Sequence, residues 1–275
     1  MAVIRAVSGC ELTYTGSPTT RFGDPMEHVH DATRRHVLAS LLGSLAAAAS
    51  PNRGVGLAAQ TDLPAEVAGI KLPRSALAQT AAQFSRRHCP DYLFNHCIRT
   101  FLFGAVALQA QQRTYDADQA FAAAALHDLG LLRAFASPTG SFELDGANQA
   151  EQLLLQAGVS ARNTDTVWHA IVLHDVRFAL ARRQGPEAML VAMGAGCDVD
   201  GPDPQSIDAV RTAEIVAAFP RLQFKKRFTT LAIDHCKRKP LSQRGTWLEG
   251  LCREQAPAAW TDTVEHEIAA APFNE

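Results

Sequence analysis

The chain has 275 residues, of which 47% are hydrophobic and 20% are charged, and its formal net charge is −2. Such a chain can bury a sizeable core, and it suits one globular domain with extra segments at its ends. The balanced charge and short, scattered basic clusters lack the basic stripe of a nucleic-acid-binding surface, so we expect no nucleic-acid partner.

Residues 1–60 differ from the rest of the chain and are predicted to form a leader. A polar start is followed by the pair Arg34-Arg35, an apolar run to Ala49 and a polar segment from Ser50. The apolar run of about 13 residues is shorter than the roughly 20 that span a bilayer, but it suits a signal peptide. The paired arginines indicate the twin-arginine class, so we expect export to the periplasm and no stable membrane span. The alternative is an Ala-rich amphipathic helix on a cytoplasmic protein, preceded by a disordered tail.

From residue 64 to residue 275, apolar residues recur mostly at helical spacing and no segment alternates as a strand would, which predicts an all-α domain. Asp116 and Asp145 are predicted as helix N-caps, and Pro186 fits the first turn of a helix. The six cysteines form no CxxC pair in a chain too long to need disulfide staples, so they are interpreted mainly as core or incidental thiols. The predicted helices cover 77–84, 91–111, 116–129, 145–158, 160–181, 186–198, 205–218, 224–237 and 261–270.

Four polar residues in this domain predict a metal site. His96 lies on the long second helix, His127-Asp128 ends the third, and Asp198 lies in a glycine-rich helix exit. Two imidazoles and two carboxylates can hold one divalent metal, which can activate water near neutral pH if coordination positions stay open. His30-Asp31 and His174-Asp175 repeat the dipeptide, but only His127-Asp128 follows an Ala- and Leu-rich run whose burial demands partners. The alternative is that this pair caps the helix or bonds to backbone.

The motifs around these residues resemble those of the HD-domain superfamily of metal-dependent hydrolases. Asn95-His96, the segment from Leu126 to Gly130 that contains His127-Asp128, and Gly196-Cys197-Asp198 occur in the expected order. The segments 92–96, 142–147 and 170–174 are similar to the cyanamide hydratase-like branch, and the resemblance covers 70–235, the core of the domain. It implies a helical bundle with one divalent metal at His96, His127, Asp128 and Asp198. Zinc is the favoured metal, with iron or manganese as alternatives.

Several neighbouring residues are candidates for catalysis or substrate binding. His174 shares a helix face with apolar residues, so it is either a hydrogen-bonded core histidine or a proton donor that positions substrate. The resemblance makes Glu143, in a predicted loop, a candidate acid or base. Arg99 follows His96 by three residues and could pair with an acidic group or position substrate. Lys225 could contact an anionic substrate, with a solvated lysine as the alternative.

Three functions fit these residues. The leading hypothesis is a metal-dependent hydratase or hydrolase for a small substrate, in which Asp128 binds the metal and orients water. By analogy with cyanamide hydratase, water adds to the nitrile carbon of cyanamide to give urea. The second is a phosphohydrolase of nucleotides or phosphoesters, for which only Arg99 and the cluster at Lys225 would supply fixed positive charge. The third is a non-catalytic helical domain that binds a metal or ligand.

Overall fold

The computed structural model describes residues 63–176, 178–203, 205–261 and 264–273. The predicted leader and its arginine pair lie outside the described residues. Within them the fold is an all-α bundle, as the sequence predicts, and the strands are one short antiparallel pair, β1 (Glu66–Val67) and β2 (Ile70–Lys71). The α-helices are α1 (Ala76–His88), α2 (Asp91–Ala110), α3 (Ala117–Leu126), α4 (Phe142–Gln156), α5 (Ala161–Val172), α6 (Phe178–Gln184), α7 (Pro186–Asp200), α8 (Ala209–Ala218), α9 (Phe224–Arg238), α10 (Glu249–Gln255) and α11 (Val264–Ala269), with 3-10 turns at Leu129–Leu131 and Pro257–Ala259. None of the described helices combines the length and the apolar character that a membrane span requires.

Polar caps begin several helices, and one of them corrects a prediction. Asp116 caps α3 by accepting from the Gln119 N–H at 3.0 Å, and Pro186 occupies the first turn of α7, both as predicted. Asp145 does not cap α4, because the helix begins earlier, at Ser141, whose hydroxyl accepts from the Leu144 N–H at 3.3 Å. Glu143 therefore lies in the first turn of a helix and not in a loop.

The helix predicted over 160–181 is interrupted in the structure. Helix α5 ends at Val172 and α6 begins at Phe178. His174 Nδ1 lies 2.6 Å from the carbonyl oxygen of Ile171, so this side chain takes an acceptor that a continuing helix would have used for a backbone N–H. The interruption places His174 and Asp175 in the turn between the two helices.

The most extensive helix contact in the described bundle joins α2 to α7, and α2 is buried along most of its length. Two glycines bring the backbones together. A Cβ on Gly194 would lie 1.8 Å from the Thr100 carbonyl oxygen, and one on Gly104 would lie 2.2 Å from the Leu190 carbonyl oxygen. Only glycine permits this approach, which sets His96 on α2 opposite the end of α7.

Two cysteines are paired, which corrects their interpretation as incidental thiols. A disulfide joins Cys236 on α9 to Cys252 on α10, because α10 folds back along α9. Cys89 and Cys97 are buried thiols, as predicted for core residues. The disulfide closes a loop that contains Trp247. The backbone N–H of Trp247 donates to the Asp175 carbonyl oxygen at 3.0 Å, so this loop packs against the turn after α5.

The close α2–α7 contact predicts a large difference between two glycines of α7. Gly194→Ala should lower the free energy of unfolding by about 1–3 kcal/mol, because the new methyl group overlaps backbone atoms that have no room to move. Gly196→Ala is the matched control, since no heavy atom lies within 4 Å of its added Cβ, and it should leave stability unchanged or slightly raised. Urea denaturation of both variants measures the difference, and equal midpoints would contradict the packing described here.

Candidate metal centre

Three buried side chains bring potential metal ligands together where α2 faces the end of α3. Among the described residues, His96, His127 and Asp128 form a group whose ligand atoms lie within 4.8 Å of one another. The Nε2 atoms of the two histidines are 3.3 Å apart, and Asp128 Oδ2 lies 3.3 Å from His96 Nε2 and 3.4 Å from His127 Nε2. Their side chains are at most 2% exposed. This group can bind a metal ion.

Hydrogen bonds at the Nδ1 atoms of His96 and His127 orient the Nε2 lone pairs of both rings toward each other and toward Asp128. His96 Nδ1 lies 2.7 Å from Asp198 Oδ2, and His127 Nδ1 lies 2.8 Å from the Ala124 carbonyl oxygen. Both partners are acceptors, so the protons of the neutral rings lie on Nδ1 and the Nε2 lone pairs converge. Asp128 Oδ2 has no hydrogen-bond donor at all. Two lone pairs and a carboxylate oxygen without a donor fit a divalent cation, which would satisfy all three.

Electrostatics keep two of these groups in the states that metal ligands need. Burial lowers the pKa of His127 to about 3, so its ring stays neutral over the physiological range. Burial opposes ionisation of Asp128, but the interactions with His127 and His96 outweigh it and hold the pKa of Asp128 well below its usual range. Neutral imidazole and ionised carboxylate are the forms that coordinate metals.

Aromatic packing fixes the ring of His96. Phe224, the first residue of α9, stacks on it with ring centroids 4.7 Å apart, and Phe228 lies one turn further on at 5.6 Å. Arg221 in turn lies over the Phe224 ring, 4.9 Å from its centroid. The start of α9 therefore holds His96 in one orientation.

Asp198, the predicted fourth ligand, is paired with two arginines and lies outside the group of three. Its Oδ1 accepts from Arg99 Nε and from Arg221 Nη1, both at 2.7 Å, and its Oδ2 accepts from Arg99 Nη2 at 2.6 Å and faces His96 Nδ1. These four interactions use the lone pairs of the carboxylate, and Asp198 is outside the group of converging ligand atoms. In this arrangement Asp198 orients His96, as a carboxylate behind a metal-binding imidazole does.

The two predicted substrate-binding cations lie elsewhere. Arg99 is fully buried, and besides its bonds to Asp198 it donates to the Phe219 carbonyl oxygen at 2.9 Å. Its alternative interpretation, pairing with an acidic group, is therefore confirmed. Lys225 is exposed on α9 and does not line the cavity described below. Neither side chain is placed to contact a substrate beside the three ligands.

A cavity of about 190 Å³ opens beside the three ligand residues. Its wall is mainly apolar, and its polar members besides the ligands are His174, Asp175 and Asp200. Among the described residues that line it there is no lysine or arginine. The apolar lining residues are Phe142, Val176, Phe178, Ala192, Ala195, Gly196, Val199, Phe228, Trp247 and Leu248.

The structure places His174 beside the three candidate ligands, where its Nδ1 forms a hydrogen bond, and it adds a residue that the sequence analysis set aside. The rings of His174 and His127 meet edge to face with centroids 4.8 Å apart. Because His174 Nδ1 donates to Ile171, Nε2 is the nitrogen left for a substrate or water. Asp175 was treated as part of a second His-Asp dipeptide, yet it lines the cavity. In the sequence, the His-Asp dipeptide is the one feature that marks Asp175. Because a continuous helix was predicted over 160–181, the turn that places Asp175 in the cavity wall was not expected.

Glu143 lies behind the cavity wall. It is 1% exposed, it is absent from the cavity lining, and its carboxyl is hydrogen-bonded to that of Asp175. Glu143, the predicted acid or base, therefore reaches the cavity only through its contact with Asp175.

Comparisons with known proteins give no assignment for this site. No protein-family model matches the chain, and no curated protein matches it.

The separation of Asp198 from the ligand group predicts distinct metal-binding defects. Asp128→Asn should abolish stoichiometric zinc binding, whereas Asp198→Asn should keep one site per chain with about 10- to 100-fold weaker affinity, because it loosens His96 without removing a ligand. Asp165→Asn, an exposed carboxylate of α5 outside the cavity lining, is the control and should bind zinc as the wild type does. Competition with a zinc chelator measures the affinities. If folded Asp198→Asn loses the metal as completely as Asp128→Asn, Asp198 is a ligand.

Proposed function

We propose that this protein is a metal-dependent enzyme of the HD-domain type that adds water to a small, uncharged substrate, with nitriles such as cyanamide as the leading class. The observation that carries the proposal is the convergence of three donor-free ligand atoms, from His96, His127 and Asp128, beside a small and mainly apolar cavity.

The ligand set favours a catalytic metal over a structural one. Structural zinc sites usually have four protein ligands, whereas catalytic sites keep three and leave a position for water or substrate. Two imidazoles and one carboxylate suit zinc, and iron(II) or manganese(II) are the alternatives. When bound, the metal would supply Lewis-acid activation of water, which lowers the pKa of water from about 15.7 to about 7 in favourable sites. A purely metal-storing or ligand-binding role is the less supported alternative.

The positions of the surrounding side chains indicate their roles in the proposed reaction. Asp128 has a second carboxylate oxygen besides Oδ2 and can orient the attacking water. The Nδ1 atom of His174 donates to the Ile171 carbonyl oxygen, which leaves Nε2 to accept a proton from that water. The apolar wall excludes bulk water, which strengthens these interactions and selects a compact substrate.

A phosphohydrolase is the second candidate, but the electrostatics of the cavity disfavour it. Phosphoryl groups are usually held by arginine or lysine. Here Arg99 and Arg221 are both used by Asp198, the described wall contains no lysine or arginine, and the acidic residue Asp200 lines it. A neutral substrate meets less repulsion in this cavity than a phosphate does.

We also propose that the protein is exported by the twin-arginine route. The Cys236–Cys252 disulfide supports this, because disulfides persist in oxidising compartments such as the bacterial periplasm and are rare in cytosolic proteins. A cytoplasmic location is the alternative.

Zinc-loaded protein should convert cyanamide to urea. The test is a panel of cyanamide, small nitriles and isonitriles, nucleotides and phosphoesters, with urea, amide and phosphate as the measured products. His127→Ala should abolish turnover, and His174→Ala should lower kcat by about 10²- to 10⁴-fold, the usual contribution of an acid or base. His169→Ala is the control and should keep full activity, because His169 lies on α5 and bonds to the Asp165 backbone carbonyl.

Other results would select the alternatives. Phosphate release that disappears in His127→Ala would identify a phosphohydrolase. Stoichiometric zinc without turnover of any panel member would indicate a binding protein.

A further inference from the structure

Two carboxyl groups, the buried Glu143 and the half-buried Asp175, contact each other at the cavity wall. Glu143 comes from the first turn of α4, and Asp175 from the turn between α5 and α6. Hydrogen bonding between the two side chains is one of the causes that raise the pKa of Asp175. Each has one buried oxygen without any ordinary donor, Oε2 on Glu143 and Oδ2 on Asp175. Two acceptors in contact repel each other when both are ionised, so a single proton between the two carboxyls would satisfy both.

The residues behind Glu143 indicate which carboxyl carries this proton. Gln243 satisfies its neighbours when its amide oxygen accepts from the Phe142 N–H and from His235 Nε2, both at 3.0 Å. Its amide nitrogen then donates to Glu143 Oε1 at 3.3 Å. Glu143 is thus an acceptor on that side as well. The shared proton therefore lies on Asp175 and is directed at Glu143.

No described cation near the pair is available to neutralise a second negative charge. Lys239, the buried lysine of this region, donates to Asp145 Oδ2 at 2.6 Å and is neutralised there. Burial lowers the pKa of His235 to about 4, so this ring is neutral near pH 7. Burial and the charge of Glu143 raise the pKa of Asp175 to about 10, in agreement with the hydrogen-bond directions.

We propose that Asp175, which lies against Glu143 in the cavity wall, is the residue that donates a proton to the substrate. The inference rests on the proposed function. Asp175 lines the cavity beside His174, whereas Glu143 does not, so Asp175 presents the proton of the pair and Glu143 is a positioning residue.

For a nitrile, the proton balance closes over one cycle. The water oxygen forms a bond to the nitrile carbon, one π pair of the C≡N bond moves to nitrogen, and nitrogen takes the proton of Asp175. His174 Nε2 takes a proton from the attacking water and returns it to Asp175. The sum is one water added to one nitrile, which tautomerises to the amide, or to urea when the substrate is cyanamide.

Infrared spectroscopy tests the protonated pair without any substrate. Zinc-loaded wild type at pH 7 should show the C=O stretch of a protonated carboxyl, and Asp175→Asn should lose it while binding the same amount of zinc. Asp165→Asn, an exposed carboxylate on α5, is the matched control and should keep the band. Absence of the band in the wild type overturns the protonated pair, whether or not any variant folds.

Kinetics with cyanamide test the donor role separately. Asp175→Asn should lower kcat by at least about 10²-fold, in the range of a lost general acid, and Asp165→Asn should not change it. Glu143→Gln should shift the infrared band and also lower kcat, because Asp175 loses its partner. An Asp175→Asn variant with the wild-type kcat overturns the donor role. A wild type that hydrates no panel member overturns the proposed function and the donor role with it, and the infrared band still decides whether the pair holds a proton.

Discussion

The carboxylate of Asp198 is the point on which the metal group depends. It is fully buried, and a buried carboxylate without partners would cost several kcal/mol. Arg99 from α2 and Arg221 from the segment before α9 supply the compensating charge, and His96 supplies a further hydrogen bond. One anion therefore joins α2, α7 and the start of α9. Its geometry is what points His96 Nε2 at His127 and Asp128.

Close backbone packing makes this arrangement possible. The ion pairs that Asp198 forms with α2 require α7 to approach that helix closely, and Gly104 and Gly194 remove the side chains that would hold the two helices apart. The same glycine-rich stretch of α7 continues through Gly196 into the cavity wall. The packing of α2 against α7 therefore also sets the geometry of the site. A change in the distance between these helices would displace His96 relative to His127 and Asp128.

The sequence was sufficient for the helical fold class and for three residues that can bind a metal ion, because periodicity and the His-Asp pair at the end of a buried helix are local signals. The two arginine partners of Asp198 were not predictable in the same way, since Arg221 comes from a separate segment of the chain. The turn at His174, where one side-chain hydrogen bond to Ile171 ends α5, was also missed. The pairing of Cys236 with Cys252 was also not predictable, because it depends on how α10 folds back on α9.

The cavity holds carboxyl groups in two opposite environments. Asp128 lies among imidazoles, whose interactions outweigh its burial and keep it ionised. Asp175 lies against Glu143, and burial together with that negative neighbour keeps it protonated. Pairs of acids whose environments push their pKa values apart commonly divide the base and acid roles of a reaction. Here the anionic member lies with the metal ligands and the neutral member lies in the wall, so a small substrate between them would meet activated water on one side and a proton on the other.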